Sequence, residues 1–158
     1  MKQPSLCTAM SIEEEIQQTS FRNPKQRAAI NLIFTGNWLM DRQQAFFRNF
    51  GITASQFNIL RILRGRHPQK ISVREIGLRM LDKNSDVPRL LDRLLTKELV
   101  SKVTCEKDKR AADVAITPAG LDLLEKLDPY ITEMEKQIIG LDEDEAIMLS
   151  NLLDKLRG

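Results

Sequence analysis

Arg89 and Arg93 stand four residues apart in the run Arg-Leu-Leu-Asp-Arg-Leu-Leu. On a helix that spacing sends both guanidinium groups off one face, opposite the leucines, where their paired donors match a guanine edge or a phosphate. Ser85 and Asp86 fall at the N-terminal end of the same helix, placed to meet bases or phosphates. A second charged group, Lys107-Asp108-Lys109-Arg110, lies in a polar stretch between two apolar runs. Arg74 and Lys83 are generic phosphate contacts, and Ser72 caps a helix whose first amides can also touch an anion. Plainer readings compete: Arg89 and Arg93 as ordinary solvated positions, and Asp108 with Arg110 as the closure of a tight turn.

The distribution of charge bears on this choice without deciding it, since lysine and arginine decorate any solvated helix. Net charge is only +2, yet the segment from Arg61 to Arg110 holds 14 Lys and Arg against 7 Asp and Glu, and Leu121 to Gly158 holds 4 against 10. A basic middle and an acidic end imply that one surface meets a polyanion while another is kept from it. Catalytic chemistry finds no footing. The one histidine, His67, sits beside Pro68 in a loop, and no Ser/His/Asp set, Gly-rich phosphate loop or pair of catalytic carboxylates can be assembled. Cys7 and Cys105 are too few for a disulfide framework, and with a single His there is no ligand set for zinc. The expectation is therefore a binding protein without metal or cofactor.

A chain of 158 residues with 42% apolar and 29% charged residues is long enough to bury a sizeable core, as one compact domain or two intertwined lobes. Few aromatics and sparse Gly and Pro favour helices. No apolar run approaches the roughly 20 residues needed to cross a bilayer, and residues 1–20 lack the layout of a secretory signal, so a cytoplasmic protein with no membrane role is expected.

The elements that must position these residues follow from caps and periodicity. Residues 1–10 read as a loose tail, and Ser11-Ile12-Glu13-Glu14 has the spacing of a capping box. From Pro24 to about Phe50 a long helix is apolar on more than one side: Ile30, Ile33, Phe34, Trp38, Ala45 and Phe46 form one stripe, with Leu32, Leu39, Phe47 and Phe50 off it. Such a helix must bury more than one side, and a second subunit is the natural cover. Gly51 ends it. Thr53 to Gln56 and Ser72 to Glu75 predict two further capping boxes, each opening a helix. Pro88 is tolerated only in a first turn, so Ser85 or Asp86 caps a helix running to about Glu98. Leu99–Thr104 and Val114–Ile116 read as strands joined by the polar Glu106 to Asp113, and Thr117-Pro118 restarts helix, with Pro129 as the expected kink. A last helix after Asp142 carries Met148, Leu149, Leu152, Leu153 and Leu156.

Three helices, a hairpin with a charged tip and a returning helix is the order of a winged helix-turn-helix. Over roughly Ile52 to Gly120 the residues also resemble the MarR (multiple antibiotic resistance regulator) family of transcription factors. The resemblance is carried by Thr53-x-x-Gln56-Phe57, Ser72-Val73-Arg74-Glu75-Ile76, Arg89-Leu90-Leu91-Asp92-Arg93-Leu94, Asp108-Lys109-Arg110 and Ile116-Thr117-Pro118-Ala119-Gly120, and more loosely by Leu152 to Arg157. It implies a mainly α fold: a winged helix-turn-helix with a two-stranded wing over 52–120, flanked by dimerisation helices over 11–51 and 121–158.

The implied function is a homodimeric regulator, a repressor ahead of an activator, on a pseudo-palindromic DNA operator, and the rival is a winged-helix protein-interaction module that lost DNA binding. By resemblance Arg110 enters a minor groove with Asp108 holding its guanidinium, and Lys107 lies beside them. A small-molecule effector is also implied, for which Trp38, Met40 and Phe57 are available, although aromatic and Met residues at helical spacing are more often plain core. Redox sensing by Cys7 or Cys105 has no supporting thiol environment. Two positions depart from the family pattern: Pro88 replaces a small polar residue, and Glu98 stands where a Gly commonly follows the recognition helix.

Overall fold

The computed structural model describes residues 10–104, 112–138 and 140–158. Two compact units emerge, residues 1–42 and 43–158.

In the first unit, Ser11 caps the short helix α1 (Ile12–Glu15), its hydroxyl and the Glu14 carboxylate forming the reciprocal box. Helix α2 (Pro24–Arg48) starts here and crosses into the second unit. Arg27 of α2 forks onto both oxygens of Glu13, at 2.6 and 3.1 Å. That hydrogen-bonded pairing holds the Glu13 carboxyl well below its ordinary range, at about 2. The only α2 side chain fully removed from water is Phe47, off the expected stripe, while Ile33, Trp38 and Met40 stay exposed.

The second unit holds the core. Gly51, at φ +70°, closes α2: its amide returns to the Arg48 carbonyl and that of Ile52 to Phe47, a paired closure needing a left-handed residue. Helix α3 (Ala54–Arg64) opens on the full Thr53–Gln56 box and buries Phe57, Ile59, Leu60 and Leu63. A two-residue strand β1 (Ile71–Ser72) follows, then α4 (Val73–Arg79), α5 (Val87–Thr96), β2 (Val100–Thr104), β3 (Ala112–Ile116), α6 (Pro118–Ile138) and α7 (Glu143–Arg157).

The sheet is antiparallel in the order β1-β3-β2, with Ile71 opposite Val114 and Val100 opposite Ile116. The β2–β3 hairpin is the expected two-stranded wing, to which β1 adds a third strand of sheet, and β3 begins at Ala112, so Asp113 belongs to the strand rather than the tip. Ile71, Val100, Val114 and Ile116 join α3, Leu91 and Leu94 of α5, and Leu124 and Leu127 of α6 in one cluster. Arg64 of α3 forks onto Asp128 of α6 at 2.7 and 3.0 Å.

Helix α6 opens on Thr117, whose hydroxyl accepts the Gly120 amide and donates to the Glu98 carbonyl. A Cβ at Gly120 would stand 2.3 Å from the Leu99 carbonyl oxygen, so only glycine lets α6 seat against the start of β2. The helix runs on through Pro129 to Ile138. Helix α7 carries the full Asp142–Glu145 capping box and buries no side chain.

Candidate nucleic-acid interface

Helices α4 and α5 and the turn between them form the helix-turn-helix, and each is fixed by short polar contacts. The Ser72 hydroxyl accepts the Glu75 amide at 3.2 Å, but the reciprocal half of the expected box is absent. The Glu75 carboxylate is taken instead by Arg66 at 3.3 Å and Arg79 at 2.6 Å, because two guanidinium groups outcompete one backbone amide. Lys83, expected as a phosphate contact, turns its ammonium onto the Leu78 carbonyl at 2.7 Å and closes the C-terminal end of α4. Asn58 of α3 accepts the Leu81 amide at 3.0 Å and anchors the turn to the helix behind it.

Within the turn, Asp82 accepts the Asn84 amide and the Ser85 hydroxyl, leaving Asp86 to cap α5 by accepting the Arg89 amide at 3.2 Å. Pro88 then occupies the second helical position, where no amide is missed.

The two sides of α5 differ sharply. Val87, Leu91 and Leu94 are buried and Leu90 and Leu95 pack against them, whereas Pro88, Arg89, Asp92 and Arg93 are exposed. Neither the Arg89 nor the Arg93 guanidinium has a partner among the described residues, so both are available to an external anion. A cleft of about 250 Å³ runs beside them, lined by Ser55, Asp82, Ser85, Asp86, Arg89, Leu90 and Arg93. Arg74 is exposed at the start of α4. The paired ends of β2 and β3 at Thr104 and Ala112 bracket the wing tip. Lys107, Asp108 and Arg110, together with Cys7 and Cys105, lie outside the described residues.

Helix α5 ends in a paired closure: the Glu98 amide returns to Leu95 and that of Leu99 to Leu94, with Glu98 itself left-handed at φ +58°. The motif that usually takes glycine forms here around a glutamate. Of the residues singled out for an effector, Phe57 belongs to the core, its ring stacked on Phe47 at 4.4 Å. Trp38 and Met40 lie in the first unit, Trp38 beneath the Arg42 guanidinium at 4.6 Å.

Three polar anchors were not anticipated from sequence: the Arg64–Asp128 fork, Lys97 donating to the Gly51 carbonyl at 2.6 Å, and the Arg66–Glu75–Arg79 cluster. Only the last left a trace, Glu75 and Arg79 being one helical turn apart.

A buried helix-turn-helix scaffold presenting one bare cationic helix face beside a two-stranded wing of a three-stranded sheet defines a winged helix-turn-helix protein. The MarR family model matches residues 50–111, from the end of α2 to the wing. The crystal structure of a MarR transcription factor from Planctomyces limnophilus is 31% identical, with 85% of this chain and 98% of that one covered at a TM-score of 0.69. A mutant MarR from E. coli, solved in complex with operator DNA, is 27% identical over 80% of this chain and 91% of that one, with a TM-score of 0.68. The HTH-type transcriptional regulator PecS of Dickeya dadantii is 29% identical over 121 residues, 75% of this chain and 73% of that protein. The chain belongs to the MarR family of transcriptional regulators.

Proposed function

We propose that this protein is a cytoplasmic, homodimeric repressor that grips a pseudo-palindromic operator, acting by binding and not by catalysis. Helix α5 enters the major groove with Arg89 and Arg93 on base edges or phosphates, and the wing brings Arg110, steadied by Asp108 and flanked by Lys107, to the adjacent minor groove. Ser85 and Asp86, which line the cleft beside Arg89 and Arg93, and Ser72 and Arg74 at the start of α4 add further contacts to bases or phosphates; Lys83 serves first as the cap of α4 and adds charge. The observation that carries this reading is the exposed, unpartnered Arg89–Arg93 pair opposite the buried leucines of α5. The operator complex of the 27%-identical E. coli protein supports it. Trp38 and Met40 are the exposed side chains open to a lipophilic effector.

Fluorescence anisotropy of an operator selected from random duplexes, measured across a salt series, tests the reading. Wild type is expected to prefer its operator and to release it steeply with salt. Arg89→Ala is expected to lose about 1–3 kcal/mol of discrimination and Arg110→Ala to weaken binding. A folded protein that prefers no sequence overturns the proposal in favour of a winged-helix interaction module.

A further inference from the structure

A second cleft, of about 460 Å³ and open to solvent, lies at the C-terminal end of α5, away from Arg89. Its walls come from the last turns of α2 (Gln44, Arg48), the start of α3 (Thr53, Gln56) and the C-terminal half of α5 (Arg93, Lys97). Arg93 lines both clefts, and Arg89, Arg93 and Lys97 follow one another at four-residue steps on one side of α5. Three cations line the second cleft and no carboxylate does.

Each donor has a definite state. Lys97 gives one hydrogen to the Gly51 carbonyl, which pins its ammonium at the wall and leaves two. Arg48 and Arg93 are exposed and without partners among the described residues. Gln56 is the one buried polar or charged side chain among the described residues, 3% exposed. Its Oε1 accepts the Thr53 amide, while its Nε2 finds no acceptor among the described residues and is not sealed from solvent. Gln56 lines the cleft. A fixed amide donor among three cations is a seat for an oxyanion.

We propose that this cleft receives a backbone phosphate of the DNA duplex, held by Arg48, Arg93, Lys97 and the Gln56 amide; the inference rests on the reading of the chain as a DNA-binding regulator. An open cleft leaves a free small anion in water, where exposed charges gain little. A phosphate on a duplex is delivered by the docking of α5 itself, and its neutralisation releases condensed counterions. Contacts at the far end of α5 would fix how far that helix slides along the groove, a positioning role independent of base sequence.

The test is a salt series on the full-length protein with two duplexes, the selected operator and a scrambled one, for wild type, Arg48→Gln, Lys97→Gln and the charge control Lys155→Gln. The cleft variants are expected to weaken both duplexes by the same factor and to flatten the slope of log K against log salt by about 1 each. Lys155→Gln on α7 is expected to leave both unchanged. Lys97→Gln also releases the Gly51 carbonyl; Arg48 makes no such contact, so its variant carries the test if the other melts early. Neutralising backbone positions one at a time as methylphosphonates should reveal a position that weakens wild type but not Arg48→Gln. Wild-type slope and affinity in Arg48→Gln on both duplexes would overturn the proposal. The regulator reading fails separately, when wild type prefers no selected sequence while the scrambled duplex still reports on the cleft.

Discussion

Two single residues show how closely backbone geometry controls the helix that presents the cationic face. Glu98 adopts φ +58° to close α5, a conformation that costs an L-residue about 1–2 kcal/mol and glycine little. Glu98→Gly is therefore expected to raise stability by about 1 kcal/mol after the extra entropy of the unfolded chain is set against the relieved strain. Urea denaturation would show it as a higher midpoint with an unchanged slope, and a lower midpoint would mean that the glutamate makes up the strain elsewhere. Gly120 presents the opposite case. An added Cβ there meets the Leu99 carbonyl at 2.3 Å and Ile116 Cγ1 at 2.7 Å, and backbone cannot step aside as a flexible side chain can. Gly120→Ala is expected to cost about 3 kcal/mol, seen in the same assay, by prising α6 from the wing sheet. The glycine was visible in sequence as part of the Thr-Pro-Ala-Gly run, and Glu98 as a departure from a common glycine. That Glu98 completes the closure anyway depends on the amides of Glu98 and Leu99 reaching back to α5, which no residue type announces.

Elements were legible where the signal is local. The caps at Ser11, Thr53, Asp86, Thr117 and Asp142 form where Ser, Thr or Asp stands immediately before a helical segment, because those side chains satisfy amides within three residues of themselves. Contacts set by the tertiary fold were not legible. Strand β1 has only two residues and no periodicity of its own, and it exists because β3 offers a free edge. Lys83 reads as a phosphate ligand until the α4 carbonyl beside it is known, and Glu75 reads as half of a box until Arg66 arrives from the preceding loop. The join between α1 and α2 has a pH signature. Arg27 holds the Glu13 carboxyl down to about 2 from its ordinary 4.5, so the pairing contributes fully above 4.5 and is lost as pH falls through 2. A titration followed by NMR of the Glu13 carboxyl should give a midpoint near 2 in wild type, returning towards 4.5 in Arg27→Gln. A wild-type midpoint at the ordinary value would show that the fork is not held in solution.

At the scale of the whole molecule the acidic C-terminal part has to be accounted for. Helix α7 is fully capped and amphipathic, yet it buries no side chain: Met148, Leu149, Leu152 and Leu156 are 64%, 45%, 58% and 66% exposed. A single chain obtains nothing from that apolar stripe, whereas a second copy covering it would gain about 1.5–3 kcal/mol for each side chain fully buried. The stripe thus supports the proposed homodimer, and the ten acidic residues of Leu121 to Gly158 would keep this region off the DNA while α5 and the wing approach it. Leu152→Asp with Leu156→Asp is the informative variant. Since neither leucine supports the fold of its own chain, the substitutions are expected to leave far-UV circular dichroism intact while sedimentation shifts from dimer to monomer. Operator affinity should then fall steeply, because two half-sites gripped together share one loss of translational freedom and a lone subunit holds only one of them. Binding to a scrambled duplex, which draws on phosphate contacts of each subunit, should fall much less. A variant that still sediments as a dimer would place the subunit contact on another surface, with the apolar sides of α2 the next to be tested.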